Sequence, residues 1–213
     1  MQRLYCDTAA VTPLDPRVHR VVERLIYETW GNPGSIHAEG EQAYASLEEA
    51  RRRVATFCGV KSYEVVFTSG GTESNNLALC GVIDALPRRG GHIITSTIEH
   101  ASVLSTVEEL ERRGCTVTLL KPDSEGLISV SQMIEALRPD TVLVSLHFAH
   151  NEIGVLQPLR DITRAVRAER ERAALSWAGS GVPSGYGHAA SFSSRRGEGT
   201  RSTSQGSISA ATD

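Results

Sequence analysis

The chain has 213 residues, 40% of them apolar and 22% charged, with a formal net charge of −3. That length holds one large domain or a domain and a tail, and the slight acidity gives no reason to expect a nucleic acid or an anionic membrane as partner. No run approaches the roughly 18 apolar residues of a membrane span, and "MQRLYCDTAA" lacks the apolar core of a signal peptide, so a cytosolic protein is expected.

In chain order, Pro13 and Pro16 precede a first helix expected within 16–30. The Gly/Pro/Asn loop "GNPGSIHAEG" (31–40) leads into a long charged helix within 38–58. "EVVF" (Glu64 to Phe67) has the β-branched and aromatic content of a buried strand. After it, Leu77, Leu79, Cys80 and Ile83 repeat at helical spacing, predicting a helix over 73–86. Strands are expected at "HIITS" (92–96), "TVTLL" (116–120) and "TVLVSL" (141–146), with helices within 101–113, 129–137 and 158–173. Gly114 and the turn Pro122-Asp123-Ser124-Glu125-Gly126 punctuate the series. Short apolar runs without alternation are strands covered on both faces, and their alternation with helices predicts an α/β domain with a mostly parallel sheet and helices on both faces.

Residues 1–173 are expected to form that domain. From Ala174 to Asp213 the chain has ten serines, seven glycines, no lysine and no apolar period, a composition too poor in apolar surface to offset its ordering entropy. This tail is expected to be disordered. The cysteines, Cys6, Cys58, Cys80 and Cys115, are widely spaced without a Cys-x-x-Cys pair, which predicts reduced thiols rather than disulfides or zinc ligands.

Four stretches carry the candidate chemistry. Ser69-Gly70-Gly71-Thr72 lies between the expected strand and a helix, where free amides, the helix dipole and a threonine hydroxyl suit an anion. An ordinary cap with Thr72 as N-cap and Asn75 near the capping-box position is the alternative. Neither a nucleotide P-loop nor the dinucleotide glycine fingerprint is present, so the anion would be some other phosphate. The loop 31–40 holds a histidine. "STIEHASVL" (96–104) sets Glu99 and His100 past a strand end, and "HFAHNEIGVLQP" (147–158) sets Asn151 past another. Ligands in open parallel sheets collect at the carboxyl ends of strands, so three loops deliver Thr72, His100 and Asn151 to one edge. His100 as a plain helix start and Asn151 as a turn residue stay open. No metal is expected: His147 and His150 would point to different faces and lack a third ligand.

"YCDTAAVTPLDPRV", "GNPGSIHAEG", "FTSGGTESNNLAL", "HIITSTIEHASVL" and "HNEIGVLQP" together resemble, in order and spacing, the cysteine desulfurases of the NifS/IscS type, pyridoxal-phosphate enzymes of the class V aminotransferase group. The likeness covers about residues 4–170; selenocysteine lyases look similar, but "GNPGSIHAEG" leans toward the desulfurases. It implies the large domain of the fold type I pyridoxal-phosphate transferases, with a seven-stranded sheet left incomplete here. Its implied reaction takes L-cysteine to L-alanine and passes sulfur to a persulfide acceptor or scaffold protein, in a homodimeric enzyme. Carried over by position, Gly71 and Thr72 resemble the cradle for the phosphate of pyridoxal 5'-phosphate. His100 resembles the histidine that stacks on the ring and shuttles protons, and Asn151 the asparagine that hydrogen-bonds the ring oxygen.

The chain also departs from the family pattern. Cys6, Thr8 and Val11 replace commoner residues, and His150 stands for the first of two asparagines. The aspartate under the ring nitrogen, a nearby glutamine, the Ser-x-His-Lys lysine that forms the Schiff base, and the sulfur-accepting cysteine do not follow the helix ending near 170. Lys61 and Lys121 are the lysines present, both in the wrong context. The expectation is therefore a shortened or frameshifted desulfurase-like chain that binds cofactor weakly or not at all, with dimerisation in doubt. A non-catalytic binding or assembly protein is the alternative.

Overall fold

The computed structural model describes residues 4–87 and 90–178. Helix α1 (Pro16–Glu28) starts at an N-cap, Asp15, whose carboxylate accepts from the Arg17 amide at 2.7 Å. Pro16 takes the first helical position, where its missing N–H costs nothing. Helix α2 (Ala38–Cys58) ends at Gly59, whose φ of 67° is the left-handed cap conformation that glycine favours. A 3-10 turn (Ser62–Glu64) and helix α3 (Gly71–Asp84) follow. Then come β1 (His92–Ser96), α4 (Ala101–Arg112), β2 (Thr116–Leu120), α5 (Val130–Ala136), β3 (Thr141–Val144) and α6 (Leu159–Ala178). The expected strands at 92–96 and 116–120 form with those bounds, and "TVLVSL" pairs over its first four residues.

The three strands form a parallel sheet in the order β2-β1-β3. β1 is central and buried along its whole length. Successive strand residues face opposite sides, and the fully buried pair Ile93 and Ile94 divides the core accordingly. Ile93 packs with Leu79 and Ile83 of α3 and with Val103, Val107 and Leu110 of α4. Ile94 packs with Leu120, with Ile128 and Met133, and with Ile162 of α6. Helices thus cover both faces, as the alternation predicted. At the amino end of β1, His92 is fully buried and spans the sheet. Its Nδ1 lies 2.7 Å from Thr141 Oγ1 and its Nε2 2.8 Å from Thr118 Oγ1.

The chain leaves β1 over the α4 face to reach β2, then crosses behind through α5 to β3 on the other side of β1. The connections after the neighbours β1 and β3 therefore depart on opposite faces. That is a topological switch point, where a crevice opens at the carboxyl edge.

"EVVF" does not form a strand: Glu64 ends the 3-10 turn and residues 65–68 are unpaired. Its composition suits a strand, but no neighbouring strand offers it a ladder. Val66 and Phe67 stay exposed, and the Arg51 guanidinium covers Phe67, 5.0 Å from the ring centroid. Helix α6 runs on to Ala178, past the boundary expected at 173. The tail expected to be disordered lies, from residue 179, outside the described residues. No described helix is long and apolar enough to cross a membrane.

Candidate functional site

The opening of α3 is built differently from the alternative cap with Thr72 as N-cap. Gly70, in extended conformation at φ 165°, is the N-cap, so Gly71 and Thr72 are the first two helical residues. The reason is Glu73. Its carboxylate reaches back to accept from both the Ser69 amide and the Ser69 hydroxyl, each at 2.6 Å, and these two bonds hold the carboxyl below the usual range. Thr68 and Ser74 share a hydroxyl contact of 2.6 Å across the same turn. The amides of Gly71 and Thr72 belong to the first turn, which has no intrahelical acceptor. A Cβ at Gly70 or Gly71 would meet nothing within 4 Å, so the approach to these amides is open.

His100 is the N-cap of α4. Its Nδ1 accepts from the Ser102 amide at 3.1 Å and lies 2.8 Å from Ser102 Oγ. That hydroxyl in turn receives the Asn75 side-chain amide at 2.8 Å. The donors and acceptors order themselves in one direction. Asn75 donates to Ser102, and Ser102 donates to Nδ1, which leaves the His100 proton on Nε2. One turn further along, Thr106 Oγ1 donates to Asn76 Oδ1 at 2.9 Å. Asn75 and Asn76 thus stitch α3 to α4, so the Gly71–Thr72 turn and His100 form one unit. Asn75 is a pairing residue here, not a cap.

Past β3 the chain doubles back on itself. The Gln157 amide donates to the Phe148 carbonyl and the His150 amide to the Val155 carbonyl, both at 2.9 Å. Gln157 is buried, with its side chain accepting from the Ile128 amide at 2.9 Å and donating to the Gly126 carbonyl at 2.7 Å. Asn151 sits exposed in the turn at the tip, and no hydrogen bond ties it to His100 or Thr72 among the described residues. His147 and His150 do not face apart as expected. They follow the strand rather than belong to it, and their ring centroids are 5.3 Å apart. Among the described residues no group of three or more His, Cys, Asp or Glu side chains is placed to hold a metal ion.

The residue that sequence reasoning placed past a strand end but gave no role is Glu99. It is buried, accepts from Ser96 Oγ at 2.7 Å and from the His147 amide at 2.9 Å, and so joins the exits of β1 and β3. The available signal was a carboxylate placed directly after a strand end. Of the lysines, Lys61 holds its ammonium over the Tyr63 ring at 5.5 Å, beyond the end of α2. Lys121 follows β2 and lies exposed on the carboxyl edge. Burial pushes the Cys115 thiol up, the wrong direction for a thiolate nucleophile.

A family model described as aminotransferase class-V matches residues 4–176. The cysteine desulfurase IscS of Dictyoglomus turgidum is 43% identical over 166 residues, which are 78% of this chain and 42% of that protein. The NifS/IcsS protein homolog of Lactobacillus delbrueckii subsp. bulgaricus is 44% identical over 160 residues, 75% of this chain and 42% of its own length. Among solved structures, a NifS-like protein superposes with a TM-score of 0.76 at 38% identity, covering 80% of this chain and 47% of its own. A structure described as SspA in complex with cysteine gives 0.72 at 40% identity, covering 76% and 47%. The chain spans less than half the length of these relatives. With a family match over most of its length and a two-faced parallel sheet shared with these structures, the chain belongs to the class-V aminotransferase family.

Proposed function

We propose that this chain carries the phosphate-binding and ring-facing half of a pyridoxal 5'-phosphate site, in a cysteine desulfurase that takes L-cysteine to L-alanine. The sulfur would pass to a persulfide acceptor for iron–sulfur cluster or thio-cofactor synthesis. The observation that carries this reading is the chain of bonds from Asn75 through Ser102 to His100, which couples an open helix start to a fixed imidazole at a sheet switch point. Two relatives support the substrate: the Dictyoglomus turgidum IscS is named a cysteine desulfurase, and one structural neighbour is in complex with cysteine.

The residues present fit the cofactor at two of its ends. A helix start with free amides and the Thr72 hydroxyl suits a phosphate dianion, and Gly71 leaves the approach open. His100 offers a ring whose Nδ1 is committed as acceptor, so its face is held in one orientation and its exchangeable proton is at Nε2. A proton moved by His100 therefore moves at Nε2, while Ser102 and Asn75 keep the ring from turning. Asn151, at the tip of the loop after β3, would donate its side-chain amide to the ring oxygen. When bound, the cofactor supplies an electron sink for the bonds at the substrate Cα.

Among the described residues no hydrogen bond or ion pair joins a lysine or cysteine side chain to Thr72 or His100. For this chain we therefore propose weak, reversible cofactor binding without independent turnover, and the lysine placement favours a binding role over a catalytic one. The test is a pyridoxal phosphate titration of the full chain by absorbance and induced circular dichroism, before and after borohydride. Saturable binding that borohydride does not fix to a lysine is the expected result. Thr72→Ala should weaken it about tenfold or more, since a hydrogen bond to a charged group contributes roughly 1.5–3 kcal/mol. No cofactor signal at all overturns the site, and release of alanine from cysteine by this chain overturns the binding-only role. Selenocysteine in place of cysteine in the same assay separates the two substrate classes.

A further inference from the structure

Glu99 is 8% exposed, and its side chain only 2%. A carboxylate is buried this deeply only when it is paired and hydrogen-bonded. Of the two partners of its Oε1, Ser96 is the last, buried residue of β1, and His147 stands in the connection three residues beyond β3. Its Oε2 is 3.5 Å from Nδ1 of His147, a buried ring nitrogen with no hydrogen-bond partner of its own. The sheet does not need this clamp. β1 and β3 are already joined by their ladder and by the bond from the Ser145 amide to the Ile94 carbonyl at 2.9 Å. What the clamp fixes is the loop beyond.

From His147 the path continues through the ring of His150, 5.3 Å away. His150 Nδ1 accepts from the amides of Glu152 at 3.2 Å and Ile153 at 3.4 Å, closing the turn that holds Asn151. In the other direction Glu99 is the residue next to His100. One buried carboxylate thus stands between the cap that bears His100 and the loop that bears Asn151.

We infer that Glu99 is a positioning residue: it locks the loop after β3 to the turn after β1, so that Asn151 and His100 meet a bound cofactor in register. The inference rests on the cofactor site proposed above. Loss of the negative charge in Glu99→Gln weakens the pull on the His147 amide and ring while keeping the volume, so the loop loosens and the sheet stays.

Two measurements on the full chain test this, with Glu108→Gln, an exposed carboxylate on α4, as the charge-matched control. The first is hydrogen exchange without cofactor. Glu99→Gln should speed the amides of residues 146–153 about tenfold and leave those of 92–96 unchanged, and the control should change neither. The second is the pyridoxal phosphate titration. Glu99→Gln should weaken binding about tenfold and alter the induced circular dichroism, and the double variant with Asn151→Ala should bind no more weakly than Asn151→Ala alone. Unchanged exchange over 146–153 overturns the clamp, and additive losses in the double variant overturn its action through Asn151. If the unaltered chain binds no pyridoxal phosphate, the proposed function fails, while the exchange experiment still decides whether Glu99 sets the loop.

Discussion

His92 should make the fold sensitive to mild acid. Its ring is fully buried between two threonine hydroxyls on the flanking strands. Burial pushes its pKa below the ordinary histidine value; nearby Arg138 pushes the same way, and Asp140 opposes. The unfolded chain, with a histidine near the ordinary value of about 6.5, takes up a proton that the folded ring refuses. The stability of the neutral ring is therefore fully present above about pH 7 and is lost as pH falls through 6.5 toward the lower folded value. Between pH 7.5 and 5.5 a ring that stays neutral when folded costs the fold up to about 1.4 kcal/mol. Urea unfolding followed by far-UV circular dichroism at both pH values measures this directly. The variant His92→Leu removes the titration. It loses a hydroxyl partner's worth of stability at every pH, about 1–3 kcal/mol, because Thr118 is left bare while Thr141 still accepts from the Arg138 amide. The two proteins differ at this one side chain, so the difference in slope belongs to His92. Parallel losses in the two proteins, agreeing within about 0.3 kcal/mol, would refute the argument.

Three further outcomes are expected. His100→Ala removes the N-cap of α4 and should cost about 1 kcal/mol in unfolding experiments, besides changing the spectrum of bound pyridoxal phosphate. Ser102→Ala breaks the bridge from Asn75 to the His100 ring, and nitrogen-15 spectra of the imidazole should show both tautomers where the unaltered chain shows the Nε2–H form alone. Gly40→Ala places a methyl group inside the Ser35 carbonyl, which is backbone and cannot swing away, so thermal unfolding should register a loss of about 1–3 kcal/mol or more.

Much of the fold was legible because local signals agreed. "HIITS" and "TVTLL" are short, β-branched and bounded by Gly91, Gly114 and Pro122, and each became a strand over those residues. "EVVF" carries the same composition and failed, because composition does not say whether a partner edge exists. The cap at His100 was harder to read, since histidine is not among the preferred N-cap residues, yet its Nδ1 does the work of a serine oxygen. His37 does the same at α2, accepting from the Gly40 amide at 3.3 Å. Glu99 was visible as a carboxylate after a strand, but its partner His147 lies 48 residues away. No local pattern encodes a bond of that span.

The order β2-β1-β3 also bears on how the chain assembles. The strand that ends up in the middle is made first, and it has no neighbour until α4 and β2 have followed it. Residues 92–120 can therefore settle as a unit, with Ile93 already covered by α4. The other flank of β1 waits for β3, which is made after β2 and α5 and reaches it by the crossover over the Ile94 face. During synthesis, that flank is the surface a chaperone would meet, and of the loops that hold Thr72, His100 and Asn151 the one with Asn151 is laid down last.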